Sequence, residues 1–154
     1  MTDSPRSGAL FSTDTNGQPR RAIVVGVVNC TPDSFFDGGL FGAGEDPRAL
    51  FAHAEALLDG GADWLDIGGE STRPGAGPVD AEQEWRRVAP IIHEFGRSVV
   101  VCVDTSKAHV AARALAAGAQ IINDVSGLRD PEMPAVTAGA AATVVMHGRG
   151  TPKT

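Results

Sequence analysis

Polar residues with side-chain oxygens recur where short apolar runs of this chain end. Asn29 ends the first run, Asp66, Asp104 and Asp124 lie at or near the ends of later runs, and Asn123 stands beside the last of them. Carboxylates accept hydrogen bonds from N–H groups, and an amide oxygen can help to bind a hard cation such as Mg2+. If these side chains converge on one cavity, they suit a flat heterocycle with an N–H-rich edge. Taken singly, each is equally compatible with helix capping or loop hydrogen bonding.

Two glycine-rich loops add hydroxyl, guanidinium and aromatic groups. Ser71, Thr72 and Arg73 supply donors that suit a phosphate oxygen. Phe35 and Phe36 lie in a loop that ends in two glycines, a composition that favours a lid over an apolar ring, with ordinary packing as the alternative.

Other kinds of chemistry lack the residues that they need. No His/Cys cluster has the spacing of zinc ligands, and neither a Ser-His-Asp pattern nor a nucleophile elbow is present. His53, His93 and His109 fall within helical patterns among polar neighbours, which predicts exposed surface positions. His147 differs because it ends the fifth apolar run.

Composition and charge exclude several classes of partner. The 154 residues are 42% hydrophobic and 21% charged, which indicates one domain with a sizeable core. A formal net charge of −6 and the lack of a basic stripe argue against nucleic acid and membrane surfaces. We find no membrane-span pattern and no signal-peptide core. Cys30 and Cys102 are too few for a disulfide framework, so we expect small buried hydrophobes in a reduced, cytoplasmic protein.

The apolar runs alternate with helical patterns. Helix signals include Asp46 followed by Pro47, a capping box of Asp80 and Gln83, and a cap at Thr105 or Ser106 for the third helix. A fourth helix is less clear because prolines interrupt its segment. The predicted strands are residues 22–28, 64–67, 98–103, 120–122 and 142–146.

This alternation predicts a parallel α/β sheet, for which a doubly wound sheet and a (β/α)8 barrel are the candidates. Distinctive polar loops follow all five strands, as at the rim of a barrel, and no Gly-x-Gly-x-x-Gly turn follows the first strand. We therefore favour a TIM barrel. Because such a barrel takes roughly 250 residues, we expect an incomplete one of about five parallel strands with four intervening helices. The first and fifth strands would then have unpaired edges, and the apolar interior would be open to water.

Five ordered motifs resemble those of dihydropteroate synthase, from about Ala22 to the last residue. They are NCTPDSFFDGG, DIGGESTRPGA, VDTSK, IINDVSG and MHGRGTP, which begin at residues 29, 66, 103, 121 and 146. The resemblance implies a TIM barrel that joins 6-hydroxymethyl-7,8-dihydropterin diphosphate to 4-aminobenzoate and releases pyrophosphate, with Mg2+ bound alongside the diphosphate. The polar first 20 residues predict a flexible N-terminal lead-in. The resemblance implies a pterin-binding domain, truncated at its C-terminus, over residues 21–154.

The same resemblance assigns roles to individual residues. Asn29 would contact magnesium and the diphosphate, while Asp104 and Asn123 would bind the pterin edge. Asp104 would also stabilise positive charge that develops on the pterin. No protein nucleophile is implied. The remaining substrate-binding residues would be Thr72 and Arg73 at the diphosphate, Asp33, Ser34, Phe35, Ser71 and Pro74 around 4-aminobenzoate, and Met146 with His147 in the fifth motif.

Departures from the family pattern leave alternatives open. Cys30 and Phe36 replace residues that are usually smaller aliphatic and serine, and Gly148 with Arg149 alters the loop after His147. The family's later strands supply further pterin and diphosphate ligands, and its C-terminal helices usually form a homodimer, so we expect negligible turnover by residues 1–154 alone. The alternatives are a pterin-binding methyltransferase domain and a truncated, non-catalytic paralogue that binds pterin or a complete synthase.

Overall fold

The computed structural model describes residues 22–31, 47–71 and 77–147. Within these ranges, five strands alternate with four helices along the chain. They are β1 (Val25–Asn29), α1 (Arg48–Asp59), β2 (Trp64–Gly68), α2 (Ala81–Phe95), β3 (Val100–Asp104), α3 (Ala108–Ala117), β4 (Ile121–Asp124), α4 (Met133–Thr137) and β5 (Ala142–Val145).

The strands form one parallel sheet in the order β1-β2-β3-β4-β5. All four helices contribute to a single large core on one face of this sheet. A doubly wound sheet has helices on both faces, whereas consecutive strand order with helices on one side is the arrangement of a barrel wall. Among the two candidate architectures, the described residues therefore form part of a (β/α) barrel, as the sequence predicts.

Strand residues alternate between the helix-covered face and the opposite face, here called the inner face. On the covered face, Leu65, Ile67, Val101 and Val103 are fully buried against the helices. On the inner face, a smaller cluster contains Trp64, Cys102 and Ile121. This alternation decides which polar residues point away from the helices at the end of each strand.

Apolar side chains are exposed on the two outermost strands. Val25 and Val27 of β1 are 40% and 53% exposed, and Val144 of β5 is 43% exposed. The register and the alternation place all three on the inner face. Their exposure agrees with the expectation that the first and fifth strands leave the apolar interior open to water.

Local signals in the sequence account for most boundaries of these elements. Asp80 caps α2 by accepting a 2.7 Å hydrogen bond from the Gln83 amide, as the capping box predicts. The first strand begins at Val25, later than predicted. The predicted cap of α3 at Thr105 or Ser106 is wrong, because Asp130 Oδ2 accepts the Ala108 amide hydrogen bond instead, at 2.9 Å.

Several further expectations concern exposure and membrane association. Both cysteines are buried free thiols, and His53, His93 and His109 are exposed, as predicted. Among the described residues, no helix has the length and apolar character needed to cross a membrane.

Candidate active site

The register of the sheet brings three of the predicted site residues to one level. Asn29 pairs with Gly68, Gly68 with Asp104, and Asp104 with Asn123. Because β1 to β4 are parallel, these positions form a continuous row at the carboxyl ends of the strands. Val28, Ile67, Val103 and Ile122, which precede the row, all pack in the helix-covered core, so the row itself lies on the inner face. Residues far apart in the chain thus form one polar patch, here called the inner-face row.

Gly68 keeps open the space between the first two polar members of this row. A Cβ atom at this position would lie 3.8 Å from Asp104 Cβ, 3.9 Å from Asp104 Oδ2 and 4.0 Å from Asn29 Oδ1. The amide oxygen of Asn29 and the carboxylate of Asp104 therefore flank the same small volume. A larger side chain would occupy the place where a ligand could contact both oxygens.

The Asp104 side chain is partly buried and lies among negatively charged side chains. Burial raises the pKa of this carboxyl from 3.8 to about 7, with further contributions from Asp66, Glu84, Asp124 and Glu70. Among the described residues, the charges that act on this carboxylate are negative and do not compensate it. It therefore favours a ligand that brings N–H donors or positive charge, and a strongly perturbed carboxyl group in a concavity is typical of functional sites.

Asp66 lies one level below the row, on the same inner face. It pairs in register with Cys102, and its Oδ1 atom is buried without a hydrogen-bond partner among the described residues. Burial raises the pKa of Asp66. Burial and the neighbouring Asp66 carboxylate also raise the pKa of the Cys102 thiol, which keeps that thiol protonated.

Asp124 does not join the other carboxylates, contrary to the expectation that three acids converge on one cavity. Its neighbour Asn123 lies on the inner face, so Asp124 projects to the other side of the sheet. The Asp124 side chain is fully buried and accepts hydrogen bonds from the Ser126 amide at 2.7 Å and the Leu128 amide at 2.9 Å. Its role is to shape the loop after β4.

The remaining predicted site residues fall into two groups. Ser71 follows β2 and is half-buried, and Met146 and His147 follow β5 and are exposed, so these three lie at the same end of the sheet as the row. The other group lies outside the described residues and comprises Asp33, Ser34, Phe35, Thr72, Arg73 and Pro74.

Sequence reasoning missed a charged network beside the row. Lys107 Nζ contacts Glu84 Oε2 at 2.6 Å and also pairs with Glu70 Oε2. Glu84 is buried on α2 at a position that aligns with Val88 and Ile91 of the core-facing side. An acidic residue within such an apolar stripe needs a buried partner. The position of Glu84 in the stripe was the feature of the sequence that could have indicated this ion pair.

Comparison with known proteins supports one family. The family model described as "Pterin binding enzyme" matches residues 25–154. The chain is 50% identical over 150 residues to a probable bifunctional folylpolyglutamate synthase/dihydropteroate synthase of Halobacterium salinarum, an alignment that covers 94% of this chain and 18% of that one. It is 47% identical over 135 residues to the dihydropteroate synthase of Neisseria meningitidis serogroup B, with coverage of 85% and 47%.

A solved structure gives the same result for the fold. The Xanthomonas albilineans dihydropteroate synthase with 4-aminobenzoic acid superimposes with a TM-score of 0.76 at 47% identity, covering 84% of this chain and 48% of that one. The chain spans less than half the length of each of these three proteins. From the family match and the shared sheet, the chain belongs to the pterin-binding enzyme family.

Proposed function

We propose that this chain carries the pterin- and diphosphate-binding part of a dihydropteroate synthase, a transferase of folate biosynthesis. The substrates would be 6-hydroxymethyl-7,8-dihydropterin diphosphate and 4-aminobenzoate, and the products 7,8-dihydropteroate and pyrophosphate. The observation that carries this proposal is the inner-face row, in which Asn29, Asp104 and Asn123 share one level of the sheet. The name of the Neisseria relative and the family match support the same reaction.

Asp104 and Asn123 provide the chemistry to hold the edge of a pterin ring. The ring presents several N–H donors, which a carboxylate accepts, together with acceptors that an amide NH2 group complements. The two side chains are neighbours across β3 and β4. Because the surrounding acids disfavour the charge on Asp104, a donor-rich ring that binds there also relieves an electrostatic cost.

Asn29 is suited to the diphosphate end of the substrate. Asn29 Oδ1 and the Asp104 side chain both border the space above Gly68. A magnesium ion fits this donor set, because Mg2+ is usually held by one or two protein oxygens, water and substrate phosphates. Within the described residues, no group of three His, Cys, Asp or Glu side chains could hold a metal unaided. When bound, the ion would neutralise charge on the departing pyrophosphate.

The reaction requires no protein nucleophile in this scheme. The C–O bond between the pterin methylene and the diphosphate breaks, and its electron pair leaves with the pyrophosphate oxygen. The nitrogen lone pair of 4-aminobenzoate then forms the new C–N bond, and the resulting cationic amine passes a proton to water. Asp104 would stabilise the positive charge that develops on the pterin during the first step, because its carboxylate would lie close to that charge.

The part of the site that receives 4-aminobenzoate is proposed from the sequence motifs. Asp33, Ser34, Phe35, Ser71 and Pro74 would form it, while Thr72 and Arg73 would contact the diphosphate. The Xanthomonas albilineans structure contains 4-aminobenzoic acid, which supports this substrate. We place the protein in the cytoplasm, because its two cysteines are free and buried.

Calorimetric titration with the pterin diphosphate, with and without Mg2+, tests the proposal. We expect metal-enhanced binding by the unmodified chain. Asn29→Ala should weaken binding of the diphosphate and abolish the effect of Mg2+, while it leaves binding of 6-hydroxymethylpterin unchanged. Asp104→Asn should weaken binding of both compounds. Asp63→Asn is the matched control, because Asp63 lies before β2, at the opposite end of the sheet.

Equal binding of the diphosphate by the unmodified chain and both site variants would contradict the proposal. Metal-independent binding of a methylated folate, without binding of the diphosphate, would instead support a pterin-binding methyltransferase domain. Turnover is measured separately as pyrophosphate release with 4-aminobenzoate. We expect turnover by residues 1–154 alone to be negligible, even where the diphosphate binds.

A further inference from the structure

A lysine and two glutamates connect three elements beside the inner-face row. Lys107, immediately before α3, pairs through Nζ with Glu84 of α2 and with Glu70, which follows β2. The Glu84 side chain has 0% exposure, compared with 26% for Lys107 and 27% for Glu70. The negative charge of the buried Glu84 carboxylate is compensated by Lys107. This ion pair holds the lysine side chain against α2.

Glu70 uses its second oxygen to join the two ends of a chain segment. Glu70 Oε2 pairs with Lys107, and Glu70 Oε1 accepts a 3.2 Å hydrogen bond from the Val79 amide. Residues 70 and 79 are therefore held together by one carboxylate. Arg87 adds a second contact at the same place, because its Nη1 donates to the Gly69 carbonyl at 2.8 Å.

The close approach of this region to α2 has its own requirement in the sequence. A Cβ atom on Gly69 would lie 2.9 Å from the Glu84 carbonyl oxygen and 3.0 Å from Glu84 Cγ. The backbone after β2 thus rests directly on the turn of α2 that carries Glu84. This contact allows the ion pairs to span β2, α2 and the start of α3.

Stability alone is a poor explanation for such a network. Replacement of a buried ion pair by apolar residues of similar size is often neutral or stabilising, so a buried pair is weak evidence of a stabilising role. Here Glu84 Oε1 is also buried without a hydrogen-bond partner among the described residues. What the network does accomplish geometrically is to fix where residues 70 and 79 meet.

We propose that Glu70, Lys107 and Glu84 form a loop-base clamp that holds Glu70 and Val79 together and so positions Ser71, the residue next to Glu70, for substrate. This inference rests on the proposed function, because Ser71 and the residues that follow it in the sequence are the groups expected at 4-aminobenzoate and the diphosphate. Lys107 is a positioning residue in this scheme. It acts through Glu70 and does not contact the pterin.

Amide hydrogen exchange of Val79, followed by NMR on the full 154-residue chain, tests the clamp directly. The main variant is the double substitution Lys107→Met with Glu84→Gln, which removes the ion pair without a bare buried charge. Glu70→Ala is a second, independent variant. We expect Val79 exchange to accelerate about tenfold or more in both, as for loss of one charge-assisted hydrogen bond. Exchange of β3 amides should not change, and Lys107→Arg should retain protection.

Calorimetry separates positioning from a general structural effect. The double variant should bind 6-hydroxymethylpterin as the unmodified chain does but bind its diphosphate roughly ten- to hundredfold more weakly, as expected for misplaced contact groups. Unchanged Val79 protection, or an equal loss of affinity for both compounds, would overturn the inference. If the unmodified chain binds neither compound, the proposed function fails, and Val79 exchange still decides whether the clamp exists.

Discussion

Replacement of Asp104 by asparagine should make the protein more stable and less able to bind pterin. Burial and four neighbouring carboxylates raise the pKa of Asp104 from 3.8 to about 7. The folded state therefore holds the proton more tightly than the unfolded state. Asparagine has nearly the same shape and cannot ionise, so Asp104→Asn removes the cost of that charge.

The expected gain follows from linkage. The difference between 3.8 and about 7 corresponds to about 4 kcal/mol, at about 1.4 kcal/mol for each pH unit. We expect roughly half of this, about 2 kcal/mol, because the side chain is only partly buried and water and salt screen its charge. The stability that protonation of Asp104 provides is fully present below pH 3.8 and is lost as pH rises through about 7. The advantage of the variant should thus be near zero at pH 4 and largest above pH 7.

Urea unfolding of both proteins between pH 4 and pH 8.5 measures this difference. Asp130→Asn is the control of opposite sign, because hydrogen bonds from the Ala108 and Glu132 amides lower the pKa of Asp130. That carboxylate contributes stability above its unfolded pKa, which is lost as pH falls through the lowered value. A gain for Asp104→Asn that is equal at pH 4 and pH 8, or a loss at pH 8, would refute the electrostatic reasoning.

Two further predictions concern packing and thiol reactivity. Gly69→Ala should destabilise the fold by about 1–3 kcal/mol in urea unfolding, because its Cβ would lie 2.9 Å from the Glu84 backbone oxygen. At Gly77 an added Cβ meets no atom of the described residues within 4 Å, so Gly77→Ala should change stability by less than about 0.5 kcal/mol. Equal effects would contradict this. Burial raises the pKa of Cys30 to about 12 and also raises that of Cys102, so both thiols should react with a chromogenic disulfide reagent at neutral pH only as fast as the protein unfolds. Immediate reaction of either thiol in the folded chain would show that it is accessible.

Local signals in the sequence were sufficient for the elements and for part of the site. The cap at Asp80 and the alternation of apolar runs with helical stripes depend on residues close in the chain, so they could be read directly. The row of Asn29, Asp104 and Asn123 also followed, because the ends of parallel strands meet at one edge.

Features that depend on the strand register or on contacts between distant residues could not be predicted from local sequence signals. Asn123 and Asp124 are adjacent, and only the strand register decides which of them faces inward. The cap of α3 comes from Asp130, 22 residues along the chain from Ala108. The pairing of Glu84 with Lys107 joins residues 23 apart on different elements. Such contacts are properties of the folded sheet and its helices.

The distribution of charge around the row argues that the site is built for its ligand at some cost to stability. In the described part of the chain, Lys107 is already paired with Glu70 and Glu84, so it gives Asp104 little compensation. Asp66 adds negative potential from one level below. A ligand that donates hydrogen bonds to Asp104 should therefore bind more tightly as it relieves this repulsion, and should stabilise the fold by the same linkage. The expected gain in stability of Asp104→Asn and its expected loss of pterin binding are two consequences of one carboxylate that the described residues do not compensate.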